Sequence, residues 1–101
     1  AVQEMFPEAK FGIGPAIEHG FYYDFDLPRP LTPDDLAEIE ARMLANRDKA
    51  EPYVRAVVSR AEAGQIFGNN PYKIELIENL PPDETITTYQ QGHFLDLCRG
   101  P

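Results

Sequence analysis

The sequence predicts an α+β fold: an antiparallel, hairpin-rich sheet packed against one long helix and two short ones. Three observations carry this. Two stretches, Phe21–Asp26 and Phe94–Cys98, alternate apolar and polar residues with period two. The stretch from Thr32 to Lys49 opens on a helix cap and continues with helical apolar spacing. Two further helix openings, at Ser59 and at Pro71, each run less than three turns before a breaker.

The elements follow in order. Val2, Met5 and Phe6 have helical spacing, stopped by Pro7, and read as the tail of a helix. Lys10 to Asp26 reads as two strands joined by a turn at His19-Gly20. Gly12, Gly14 and Pro15 interrupt the first strand, the mark of a bulge or a close approach of another backbone. In the second strand Phe21, Tyr23 and Phe25 share a face expected to be core, while Tyr22, Asp24 and Asp26 meet water or a ligand. Pro28-Arg29-Pro30 ends the hairpin. Thr32 caps the long helix, Pro33 takes its first position, and Asp34 and Asp35 suit its positive end. Its apolar stripe is Leu36, Ile39, Met43 and Ala50, with Met43 read as core filler.

Val54, Val57 and Val58 mark a strand over 53–58. Ser59-Arg60-Ala61-Glu62 is a capping box for a short helix ending near Phe67. After Gly68-Asn69-Asn70, Pro71 opens the last helix, which carries Ile74 and Ile77. Thr85–Tyr89 is a strand, Gln90-Gln91-Gly92 the turn, and the final strand follows. No repeat or long linker divides the chain, so one domain is expected over 1–101.

Composition narrows the function. Apolar residues make up 43%, enough for a modest core. The net charge of −8 argues against indiscriminate nucleic-acid binding, which needs a basic face, but allows local contact with one RNA end. A single cysteine makes no internal disulfide and fits a reducing cytoplasm. No signal-peptide pattern and no membrane-length apolar run is visible. The chain starts mid-pattern without methionine and reads as a piece of something longer.

The chemistry gathers at the end. Alternation puts Phe94, Asp96 and Cys98 on one strand face and Leu95 and Leu97 on the other. Arg99 follows, a cation that would lower the thiol pKa where Asp96 opposes it. A carboxylate, a thiol and a cation at one strand end read as half of a site. Lys73, at the start of the last helix, is a candidate to reach a phosphate or carbonyl oxygen. A tetrahedral zinc site needs about four ligands. One cysteine and the two histidines, His19 in a turn and His93 facing away from Cys98, do not supply them.

Four stretches together resemble the editing domain of bacterial-type threonyl-tRNA synthetases: Lys10-Phe11-Gly12-Ile13-Gly14-Pro15, Gly20-Phe21-Tyr22-Tyr23-Asp24-Phe25-Asp26, Pro71-Tyr72-Lys73-Ile74-Glu75-Leu76-Ile77 and Asp96-Leu97-Cys98-Arg99-Gly100-Pro101. The resemblance covers nearly the whole chain. It implies hydrolysis of serine wrongly esterified to threonine's tRNA. By matching position Cys98, Asp96 and Lys73 would be catalytic, and Tyr22, Tyr23 and Arg99 would bind substrate, alternation favouring Tyr22 over Tyr23.

The family's site also uses a His-x-x-x-His and a Cys-x-x-x-His motif. Cys98 matches the cysteine. The histidines would fall before Ala1 and after Pro101, so the 101 residues alone are expected to be folded but poor at hydrolysis. Related alanyl-type editing proteins hold zinc with such a set, of which Cys98 would be the metal ligand present here. The resemblance further implies a cytoplasmic, homodimeric parent ligase that uses ATP and zinc outside this segment. Its partners would be the tRNA acceptor end and the other synthetase domains, with no membrane. Two alternatives are a module that holds the acceptor end without chemistry and a structural spacer.

Overall fold

The computed structural model describes residues 1–98. The fold is α+β, with four helices and seven short strands in antiparallel sheets among the described residues. The chain divides into two compact units, Ala1–Ala50 and Glu51–Pro101.

In the first unit, α1 (Val2–Met5) ends at Phe6, which is buried. A long hairpin follows in two paired pieces. β1 (Lys10–Phe11) pairs with β4 (Phe25–Asp26), and β2 (Ala16–Ile17) pairs with β3 (Gly20–Phe21). Between the pieces, residues 12–15 face residues 22–24, so the first arm carries one extra residue. Asp24 takes up the mismatch. Its carbonyl accepts from Gly12 N–H at 2.8 Å, and its own N–H donates to the Ile13 carbonyl at 2.9 Å. This is the bulge that the glycine interruption predicts. Gly14 has a second reason to lack a side chain, because a Cβ there would lie 2.5 Å from the Tyr23 ring.

Tyr23 and Phe25 do share a face and stack at 5.1 Å, and Phe11 meets both edge-on. Phe21 departs from expectation: it is 74% exposed. It sits at the hairpin tip, beyond the aromatic cluster, where alternation fixes its face but not its cover. The tip turn is Glu18-His19, with Ile17 opposite Gly20, one residue earlier than the sequence suggests.

α2 (Pro33–Lys49) begins as predicted. Thr32 and Asp35 form a capping box, and Pro33 takes the first turn. Asp35 also receives a two-pronged contact from Arg29, at 2.6 and 2.9 Å, and the same guanidinium lies 5.0 Å above the Phe6 ring. Asn46, near the other end of α2, donates to Glu4 of α1 at 2.7 Å. These polar contacts hold α2, whereas its apolar stripe is open. Leu36 and Met43 are 59% and 58% exposed, and only Ile39 is half-buried. Met43 is therefore not core filler. The helical spacing marks an apolar face without revealing what packs on it.

In the second unit, β5 (Tyr53–Val58), β6 (Ile86–Gln91) and β7 (Phe94–Leu97) form an antiparallel sheet with β6 in the middle. α3 (Arg60–Ile66) starts on the Ser59–Glu62 capping box, and α4 (Pro71–Glu78) starts on Asn70. The core is Ala63, Phe67, Ile77 and Ile86, joined by Val58, Ile74, Leu80 and Leu97. Arg60 links the two helices, donating to the carbonyls of Ile77, Leu80 and Pro81 and so covering the open C-terminal end of α4. β6 runs two residues further than predicted, and the turn is Gly92-His93. Gly92 takes φ 59° there, and a Cβ on it would run into the Glu51 carboxylate. His93 is thus a turn residue and not the start of the last strand.

Candidate functional site

The site is built where α4 passes the open edge of β7. Pro71 takes the first helical position, and Asn70 Oδ1 accepts from the N–H groups of Tyr72 and Lys73. Lys73 therefore sits in the first turn, the end of a helix that disfavours a cation. It is nonetheless 4% exposed. Its compensation is Asp96: Lys73 Nζ lies 2.7 Å from Asp96 Oδ1.

The sheet register explains how the carboxylate reaches that position. Cys98 N–H donates to the Thr87 carbonyl at 3.1 Å, so it points into the sheet. The preceding amide, of Leu97, points to the open edge by alternation. There Asp96 Oδ1 accepts it at 2.8 Å. The Asp96 side chain thus curls over the edge of β7 to meet Lys73 arriving from α4. Thr87 adds a second tie, its hydroxyl donating to the Cys98 carbonyl, so the end of β7 is held from both sides. Cys98 itself is exposed.

The structure therefore joins Lys73 to Asp96, which the sequence sets on one strand face with Cys98 but does not link to the lysine. Thr87 is missed by the sequence reading. The available signal was its place in the 85–89 strand, on the face that alternation shares with Tyr89. Tyr22 and Tyr23 belong to the first unit. Tyr22 is 46% exposed, while Tyr23 is packed between Phe11 and Phe25. Alternation anticipated this difference. Arg99 lies outside the described residues.

Among the described residues no three His, Cys, Asp or Glu side chains converge as a metal site would require. Asp96 is already engaged by a lysine, and His19 and His93 occupy exposed turns. The side chains described do not fit a zinc ion. What they offer is a buried cation fixed by a carboxylate, two residues along the chain from an exposed thiol. Such a cation polarises a carbonyl or steadies a developing oxyanion.

The chain is 58% identical over its whole length to the threonine–tRNA ligase of Dehalococcoides mccartyi, covering 17% of that protein. It is 54% identical to the corresponding ligase of Enterococcus faecalis and 50% identical to that of Symbiobacterium thermophilum, covering 16% of each. The chain is homologous to one segment of threonine–tRNA ligases. It spans about a sixth of the length of these relatives, so the homology concerns this segment. No protein-family model matches it. No helix of the described residues is long and apolar enough to cross a membrane.

Proposed function

We propose that this segment is the proofreading part of a threonine–tRNA ligase, and that Lys73, Asp96 and Cys98 line the pocket where serine is removed from threonine's tRNA. The observation that carries the reading is the buried Lys73–Asp96 pair at the end of the strand that presents Cys98. A lysine placed against its helix dipole and held by a carboxylate remote in sequence serves packing poorly and serves an oxygen-centred reaction well.

The need for such a pocket is physical. Serine differs from threonine by one methyl group, worth roughly 1–3 kcal/mol of discrimination, and a synthetic site cannot exclude the smaller side chain by size. A second pocket that rejects threonine restores accuracy. In the reaction, water attacks the ester carbonyl carbon, and the bond to the ribose oxygen breaks. That oxygen leaves with one proton originating from the water, the second passes to solvent, and serine departs as a carboxylate. Lys73 is suited to steady the oxyanion. Asp96 keeps the lysine in place and offers a carboxylate to the substrate ammonium. Cys98, exposed two residues after Asp96, lines the pocket in this reading. Tyr22, Tyr23 and Arg99 keep the substrate-binding role that the resemblance implies. ATP-dependent aminoacylation, a catalytic zinc, a homodimeric state and cytoplasmic location belong, in this proposal, to the whole ligase.

Deacylation of seryl-tRNA by the full-length ligase tests the reading. Lys73→Ala should slow hydrolysis by about 10²–10³-fold, the effect of losing one oxyanion-stabilising group, and Asp96→Ala, which frees the lysine, should slow it as well. Unchanged rates in both variants would overturn it. A second reading, binding of the acceptor end without chemistry, draws on the absence of any imidazole from the described cluster. Under it the 101-residue chain would bind seryl-tRNA and leave the ester intact.

A further inference from the structure

Arg60 stands in the first turn of α3, the end of a helix that disfavours a cation, as Lys73 does in α4. Its compensation is the opposite end of α4. The guanidinium donates to the carbonyls of Ile77, Leu80 and Pro81 at 2.5, 3.2 and 2.9 Å. That end needs a partner. Neither Asn79, which follows α4, nor Leu80 takes the left-handed conformation that commonly closes a helix. With eight residues, α4 is also too short to hold its shape without outside contacts.

The grip of Arg60 bears on the candidate site. Ile77 lies one turn after Lys73 on the same face of α4, and the two are 3% and 4% exposed. Ile77 packs in the core with Ala63 of α3, Phe67 and Ile86. A rotation or slide of α4 that carried Ile77 away from Arg60 would carry Lys73 away from Asp96. The 2.7 Å contact between Lys73 and Asp96 tolerates little of either.

We infer that Arg60 is a positioning residue: by holding the C-terminal end of α4, it sets where Lys73 stands for the reaction. The inference rests on the proofreading reading, which gives Lys73 its chemistry. A guanidinium suits the task because its planar fork spans several carbonyls at once, which an ammonium does not.

The test measures kcat and KM for deacylation of seryl-tRNA by the full-length ligase. Arg60→Met keeps the aliphatic stem and removes the donors. It should lower kcat with KM little changed, by as much as about 10²-fold if Lys73 shifts by about 1 Å. Arg60→Lys keeps the charge without the fork and should share most of that loss. The double variant with Asp96→Asn separates positioning from misfolding. Both changes act through Lys73, so together they should slow the reaction by less than the product of their separate effects. Loss of folded protein would instead give the full product, and that result would overturn the inference. So would an effect confined to KM and absent from Arg60→Lys, which would make Arg60 a charge that attracts RNA. Unchanged kcat in Arg60→Met beside a slowed Lys73→Ala would overturn this inference alone, whereas unchanged deacylation in Lys73→Ala would overturn the proofreading reading and this inference with it.

Discussion

Lys73 Nζ sits 2.7 Å from Asp96 Oδ1, with 5% and 14% of the two side chains exposed. A pair this secluded is costly to break from one side, because the partner left behind is a buried charge. Lys73→Ala or Asp96→Ala alone should therefore destabilise the chain by about 3–5 kcal/mol, read from urea unfolding. Replacing both, as Lys73→Met with Asp96→Val, should recover most of that loss while leaving deacylation impaired. Equal instability in the single and double variants would mean that the pair is not the coupled unit the distance implies.

The Arg29–Asp35 contact makes a different prediction, about pH. Arg29, and then the Thr32 backbone N–H, hold the Asp35 carboxyl well below the usual carboxylate range. A depressed folded value stabilises the protein above the unfolded value, about 3.9, and that contribution is lost as pH falls through the folded value. Melting temperature should therefore decline below about pH 4, and Asp35→Asn should flatten that limb while lowering stability at neutral pH. A wild-type acid limb in the Asn variant would exclude Asp35 as its source.

Local rules read these elements well where local chemistry decides. Thr32 and Ser59 cap helices where predicted, because a cap satisfies backbone groups within three residues of itself, and Pro71 takes the first position of α4 because its fixed φ suits it. The bulge was legible because glycine weakens a strand and so concentrates where the backbone bends or another backbone comes close. What stayed hidden depends on neighbours remote in sequence. The spacing of Leu36 and Met43 describes a face but not its cover, and both are exposed. The meeting of Lys73 with Asp96 depends on how α4 passes the edge of β7, which no short window contains. Thr87 became meaningful only once the register set it beside Cys98.

Two glycines should respond in opposite senses. A Cβ at Gly14 would lie 2.5 Å from the Tyr23 ring, so Gly14→Ala must displace a ring stacked on Phe25. Overpacking of this kind costs about 1–3 kcal/mol, and the tyrosine near-UV signal should change with it. Gly64 lies inside α3, and a Cβ there meets nothing within 4 Å. Gly64→Ala should stabilise the chain by about 1 kcal/mol through helix propensity alone. Thermal melts of the two variants decide both claims, and a shift of the same sign in each would contradict the steric difference between the two positions.

Thr87 tests whether the end of β7 must be held rigid for chemistry. Its hydroxyl donates to the Cys98 carbonyl, while its own carbonyl accepts from Cys98 N–H. Thr87→Val preserves shape and the backbone bond but removes the hydroxyl donor, so the stability loss should be modest, about 1 kcal/mol. The proposed pocket depends on where this strand end lies, and small displacements of reacting groups are expensive. Deacylation by Thr87→Val should therefore fall by more than the roughly fivefold that 1 kcal/mol represents, with the loss in kcat, while Thr87→Ser, which keeps a donor, stays close to wild type. If Val and Ser behave alike, the hydroxyl anchors nothing that the reaction uses, and the strand end is positioned by its backbone ladder.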